Sequence, residues 1–282
     1  MKRKIFVPID FLQESWSLEH KTIEIGRLAR YLSIFGVNSI VIYDVPKNWR
    51  SKAFDLQLLK DILEYLDTPQ YLRKYVFMKK KTLQYAGILP PLNIPSHPTE
   101  KKLDNHYLTN ENVIYRKAYV LGIDKKKIIL DAGLDDKIHL EYKQGVSKGE
   151  IVNILIKRVD GVPQYSHISD TKIPNYWGYE VYYENDLSRI MRNFPKSVFT
   201  IGTSRYGTSI DQISYPKKIS DEIWLFFGSR DVGLRSFFGS INKLKSGFDL
   251  ILNTFPNSHT KSIRLEEAIP ISLSFLESLE KY

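Results

Sequence analysis

Three polar segments between residues 200 and 262 carry side chains able to hold and activate a small ligand. The first is Gly202-Thr203-Ser204-Arg205-Tyr206-Gly207. The second is Gly228-Ser229-Arg230-Asp231-Val232-Gly233-Leu234. The third is Asn253-Thr254, followed by a turn built on Pro256, Asn257 and Ser258. Hydroxyls, amides and guanidinium groups make directional hydrogen bonds, and glycine lets a backbone approach a ligand closely. Neither glycine loop matches the dinucleotide fingerprint or the P-loop, which argues against dinucleotide and triphosphate chemistry. The six histidines, at 20, 97, 106, 139, 167 and 259, show no HxH or HExxH pairing, and cysteine is absent, so no metal site is expected.

Each segment follows an apolar run that reads as a buried strand: Val198-Phe199-Thr200-Ile201, Ile223-Trp224-Leu225-Phe226-Phe227 and Leu250-Ile251-Leu252. A helical pattern follows the third. Ser262 is its predicted N-cap and Glu266 and Glu267 favour its dipole, although Leu265 stands where a capping box would place Glu. Pro270 is expected to interrupt the pattern, so the regular helix is predicted to begin near it. Ile269, Leu273, Leu276 and Leu279 form the apolar face. Strand, polar loop and helix start are the parts that hold ligands at the carboxyl edge of α/β sheets. The plain alternative is a set of ordinary strand-to-helix connections.

Upstream, Ile5-Phe6-Val7-Pro8 reads as a first strand. Leu18, Ile25, Leu28, Leu32 and Phe35 recur at helical spacing and Gly36 supplies a stop, predicting a helix over 18–35. Ser39-Ile40-Val41-Ile42-Tyr43 completes a βαβ unit. Phe54, Leu58, Ile62 and Leu66 predict a second helix, and Pro69 can open a third carrying Tyr71 to Tyr75. The proline-rich stretch 87–98 reads as a linker. Short strand-like runs at 113–115, 127–130, 137–140 and 151–156, with turns at Gly122, Gly133, Gly145 and Gly161, then suggest a small barrel. An OB-like barrel would offer a sheet face to RNA; a plain spacing domain is the alternative. Tyr179 to Tyr183 is strand-like again, and Asn185 or Asp186 can cap a helix through Arg192. The expected organisation is an α/β domain in two pieces, 1–97 and 176–282, around a β-insert over 98–175.

The net charge is +9, and residues 1–97 hold +6 of it. Arg73, Lys74, Lys79, Lys80 and Lys81 form the densest cluster, interleaved with Tyr71, Tyr75, Phe77 and Tyr85. Such a mixture suits an RNA backbone and unstacked bases; the plain alternative is a solvated basic face. Arg27 and Arg30, one helical turn apart, face either solvent, RNA or a neighbouring subunit. No apolar run has the length of a membrane span, no signal-peptide pattern opens the chain, and the lack of cysteine fits a cytoplasmic protein.

The stretches IGTSRYG, FFGSRDVGL and LNTFPNSHTKSIRLEEA, in this order, resemble the SPOUT class of RNA methyltransferases, in particular the archaeal and eukaryotic branch with an inserted OB-like domain. LEHKTIEIGRLARYLSIFGVNSIVIYD, LDTPQYLRKYVF and LQYAGILPPL resemble it too, so the likeness covers most of the chain and is weakest in the insert. It implies a SPOUT α/β fold with a C-terminal deep trefoil knot and S-adenosyl-L-methionine held by the three loops. It also implies a homodimer with its active sites at the interface, and methylation of a uridine, at N3, in large-subunit ribosomal RNA. Carried over residue by residue, it implies cofactor contacts from Arg205, Gly228, Asn253 and Thr254, with Thr203 and Ser262. Read from the residues rather than the resemblance, Leu252 joins Leu225, Phe227 and Ile263 as an apolar wall for the cofactor. RNA contacts would come from Arg27, Arg73, Lys74 and Lys79 to Lys81. His259 departs from the family pattern, which has small residues such as Gln-Gly there.

Methylation at uridine N3 requires a weakly acidic proton to leave, and a positive charge near the developing oxyanions, from Arg205 or Arg264, would favour that. Glu266, Glu267 and His259 are the available bases, although the two glutamates are equally explained as helix-terminus charges. Two other readings remain: a non-catalytic RNA- or ribosome-binding dimer that keeps the knotted fold, and a small-molecule α/β enzyme with a β-insert.

Overall fold

The computed structural model describes residues 1–13, 15–45, 53–103, 108–109, 112–124, 126–141, 145–213, 220–229 and 233–279. In chain order the elements are β1 (Lys2–Pro8), α1 (Leu18–Ile34), β2 (Ser39–Tyr43), α2 (Ala53–Asp67), α3 (Gln70–Val76), β3 (Val113–Asp124), β4 (Lys127–Asp131), β5 (Ile138–Glu141), β6 (Ile151–Val159), β7 (Val162–Ile168), β8 (Glu180–Glu184), α4 (Leu187–Met191), β9 (Val198–Ser209), β10 (Glu222–Phe226), α5 (Arg235–Phe238), α6 (Ile241–Ser246), β11 (Leu250–Asn253) and α7 (Leu265–Leu279). They divide between two units. The first is Met1–Glu64, Thr82–Pro90 and Tyr179–Tyr282; the second is Tyr65–Lys81 and Pro91–Gly178. Arg230, Asp231 and Val232 of the second polar loop, and His106, lie outside the described residues.

The first unit holds a six-stranded parallel sheet in the order β11-β9-β10-β1-β2-β8. Apart from the edge strand β8, where Tyr182 and Tyr183 are exposed, its strands carry apolar runs because both faces are covered. On one face Phe6, Val41, Phe226 and Ile251 pack with Leu187, Leu244 and Phe248. Ile5 and Val7, on the opposite face, are equally buried. Local signals behave as expected in α1: Ser17 accepts the His20 N–H as N-cap, and Gly36 takes positive φ beyond the last turn. Lys21 and Asp55, both buried, pair at 2.9 Å between α1 and α2.

β9 continues past its apolar run to Ser209, and Thr200 within that run is clamped from outside the strand. The Thr200 N–H and hydroxyl both donate to Asp249 Oδ2 at 2.7 Å, and the Asp249 N–H returns a bond to the Thr200 hydroxyl at 3.1 Å. This fixes the register of β11 against β9. Leu250 pairs with Ile201 and Ile251 with Gly202, but Leu252 pairs with Thr208 and Asn253 with Ser209. Residues 203–207 are thus excluded from the ladder and project beyond it. The chain returns across β11 at Gly207, where a Cβ would sit 2.6 Å from the Ile251 carbonyl oxygen. Only glycine permits that approach.

Two expectations fail around α7. The helix begins at Leu265 and runs through Pro270. Ser262 is not its cap: Glu267 Oε2 accepts the Arg264 N–H at 2.9 Å, the backbone half of a capping box shifted by two residues. The buried face of Ile269, Leu273 and Leu276 carries the helix past the hydrogen bond that Pro270 cannot make.

The second unit is a five-stranded antiparallel sheet in the order β5-β4-β3-β6-β7. Its edge strands β5 and β7 approach one another, so the sheet curls toward a barrel around Ala118, Val120, Ile128, Leu130, Ile154 and Ile156. Gly122 is not a turn: it lies inside β3 at a register shift against β4. β7 escapes sequence reading because Val162-Pro163-Gln164-Tyr165-Ser166-His167-Ile168 has few apolar residues. The aromatics of α3 serve this unit's packing. The Tyr71 ring covers Gly133, whose added Cβ would lie 2.5 Å from it, and Tyr75 stacks on Tyr119 at 4.5 Å. Asp131 accepts from Tyr75 and Lys137 at 2.6 Å each. Burial raises its carboxyl, but these bonds and the Gly133 N–H outweigh that and hold it down to about 2.

Candidate active site

The carboxyl ends of β1, β10, β9 and β11 border one cavity of about 960 Å³. Residues 203–206, 227–229 and 252–255 line it from the three polar segments, with 233–236 and 260–266 beyond them. The place follows from the topology. All six strands run the same way, and strand order reverses beside β1, which lies between β2 and β10.

Hydrogen bonds knit the loops together. The Thr203 hydroxyl donates to the Phe226 carbonyl at 3.0 Å, tying the first loop to β10. Asn253 spans the first and third loops: Nδ2 donates to the Arg205 carbonyl at 3.3 Å, and Oδ1 accepts the Phe255 N–H at 3.0 Å. The Ser272 hydroxyl of α7 donates to the Thr254 hydroxyl at 3.4 Å. A Cβ on Gly228 would lie 3.1 Å from the Gly233 Cα, so the second loop closes tightly on itself. Tyr43 donates its hydroxyl to the Phe227 carbonyl. Burial, and then the charge of Asp10, push the Tyr43 phenol well above its ordinary value, so it remains a donor at neutral pH.

Charge is graded across the cavity. Phe227, Leu234, Leu252 and Thr254 are buried and form an uncharged floor, whereas Arg205, Arg235, Lys261 and Arg264 are exposed. Two carboxylates also line the cavity: Asp10, which is buried, and Glu266, which lies 3.9 Å from the Arg264 guanidinium. Arg205 stands over the Tyr206 ring at 5.2 Å.

Thr203, Arg205, Gly228, Leu252, Asn253, Thr254, Ser262 and Arg264 all line this cavity. The basic residues named with them do not. Arg27 is on α1, paired with Glu24 at 2.6 Å. In the second unit, Arg73 donates to the Thr68 carbonyl at 3.0 Å and covers the Tyr65 ring, and Lys74 lies 3.6 Å from Asp131. Lys79, Lys80 and Lys81 are exposed. His259 and Glu267 are not among the lining residues.

A family model described as "Putative RNA methyltransferase" matches residues 2–276. The chain belongs to this family. Three relatives carry the name 28S rRNA (uridine-N(3))-methyltransferase. The Drosophila melanogaster protein is 29% identical over 97% of this chain, the Mus musculus protein 30% over 97%, and the Homo sapiens protein 28% over 97%. The chain spans 61% of the length of the Drosophila relative, 75% of the mouse one and 77% of the human one. An RNA methyltransferase needs a methyl donor, and the cavity's floor and volume fit a nucleoside-sized group. Among the described residues no group of His, Asp or Glu is placed to hold a metal, and no helix is long and apolar enough to cross a membrane.

Sequence reading missed Asp10, Phe11 and Gln13, which line the cavity from the end of β1. The signal was present, since a first strand that pairs with β10 must deliver its carboxyl end to the same edge. Arg235 and Lys261 line the cavity as well and were missed.

Proposed function

We propose that this protein transfers a methyl group from S-adenosyl-L-methionine to N3 of a uridine in large-subunit ribosomal RNA. The observation that carries the reading is the single cavity lined by all three polar loops, in a chain whose relatives bear that name. S-adenosyl-L-methionine, when bound, supplies an activated methyl on a sulfonium. Phe227, Leu252 and Ile263 would wall the adenine, and the backbone of the loops would meet its edge and the ribose. Positioning is the main task of such a site, since the donor is already reactive. Arg205 or Arg264 would hold the uracil oxygens as N3 loses its proton. Asp10 or Glu266, the carboxylates that line the cavity, would take that proton, and the donor would leave as the neutral thioether.

The reading extends to a SPOUT fold knotted where 203–207 cross β11, a homodimer, an OB-like second unit that contacts RNA, and a cytoplasmic location. The tight approach at Gly207 supports the first of these. Incubating the purified protein with methyl-labelled donor and deproteinised large-subunit ribosomal RNA tests the activity, with nucleosides separated by mass. Label in 3-methyluridine is expected. RNA binding with neither donor binding nor label would favour the non-catalytic dimer instead.

A further inference from the structure

We propose that Arg235 and Lys261 hold phosphates of the RNA strand at the mouth of the cavity; this rests on the RNA methyltransferase reading above. Arg235 opens α5 beyond the second loop, and Lys261 lies in the third, between β11 and α7. Both are exposed and both line the cavity. The other two cations there have company: Arg264 is near Glu266 at 3.9 Å and Arg205 stands over Tyr206. Among the described residues Arg235 and Lys261 have no ion pair and no side-chain hydrogen bond. Among the described residues their charge is therefore uncommitted, at an opening whose buried lining holds the Asp10 carboxylate and no cation.

An anion small enough to sit on the floor would be held by buried donors, because exposed flexible cations hold a single charge weakly. A polyanion differs. Each phosphate neutralised at the surface releases condensed counterions, so exposed Arg and Lys add up along a strand. Cations outside a buried lining that holds none thus suit a strand that lays one base into the cavity and keeps its backbone outside. The competing source of negative charge is the donor's own carboxylate, and the experiment separates the two.

The test uses the full chain and the variants R235Q, K261Q and the double substitution. Binding to a single-stranded uridine oligonucleotide and to deproteinised large-subunit ribosomal RNA is measured across a salt series. Donor binding is measured separately by calorimetry. The double variant is expected to keep its melting temperature and its donor affinity, while the slope of log affinity against log salt becomes shallower by about 1.4. Weaker donor binding with an unchanged RNA slope would assign these residues to the donor carboxylate and overturn the proposal. An unchanged slope in a double variant, beside a steep wild-type slope, would overturn it too. A wild-type protein with no salt-dependent RNA binding would overturn the RNA reading itself, and this inference with it.

Discussion

Asn253 and Arg205 lie 48 residues apart in the chain, yet the side-chain amide of the first donates to the backbone carbonyl of the second at 3.3 Å. With its oxygen on the Phe255 N–H, this amide holds two walls of the cavity in one geometry. Asn253→Ala removes both bonds. The expected loss is about 1 kcal/mol of stability, with a larger fall in donor affinity, about tenfold, because the loops lose their preorganised spacing. Calorimetric titration with S-adenosyl-L-methionine, beside a thermal melt, reads the two effects separately.

Arg205 contributes no ion pair to the fold among the described residues, and its side chain is exposed. Arg205→Ala should therefore melt like the parent. Its methylation rate should drop by about 100-fold, the scale seen when one stabilising donor is removed from a reacting oxyanion. Full activity in a folded variant would take Arg205 out of the chemistry.

Gly207→Ala should fail for a different reason. The added methyl would meet the Ile251 carbonyl oxygen at 2.6 Å, and that backbone is fixed in the sheet. A cost of about 3 kcal/mol, the upper range for overpacking, is expected. It is visible as an earlier denaturant midpoint, with the donor site lost even where the variant stays folded.

The second unit should be acid-sensitive. Burial pushes the His97 ring down to about 4, and its Nε2 lies 2.8 Å from the Asp67 carbonyl oxygen. The unfolded chain takes up a proton near pH 6.5 that the folded chain refuses, so stability rises with pH between about 4 and 6.5. Lowering the pH through that window removes this contribution. His97→Gln, which keeps a donor for the carbonyl, should flatten the profile; an equally steep acid slope in the variant would assign it to other groups.

Much of this was legible in the residues, and the failures have physical causes. The three loops were readable because a buried strand that stops in polar residues must end at the sheet's edge. α1 was readable because Ser17, the apolar spacing and Gly36 agree. The start of α7 was not, because Glu267 works on Arg264 rather than on Ser262. Tyr71 and Tyr75 invited a role in stacking bases, but Gly133 and Tyr119 claim their rings, and no local pattern announces partners so distant. Asp10 reached the cavity through strand order, a property of the whole sheet.

The seat of β11 on the outer flank of β9 bears on how the protein is made. A nascent chain halted before Leu250 would have its first two walls but no third, and β9 would present a bare edge prone to self-association. Donor binding cannot help such an intermediate, since ligand stabilises only the state that binds it. Synthesis must run beyond Asn253 and into α7 before the cavity proposed for the methyl donor has all its walls.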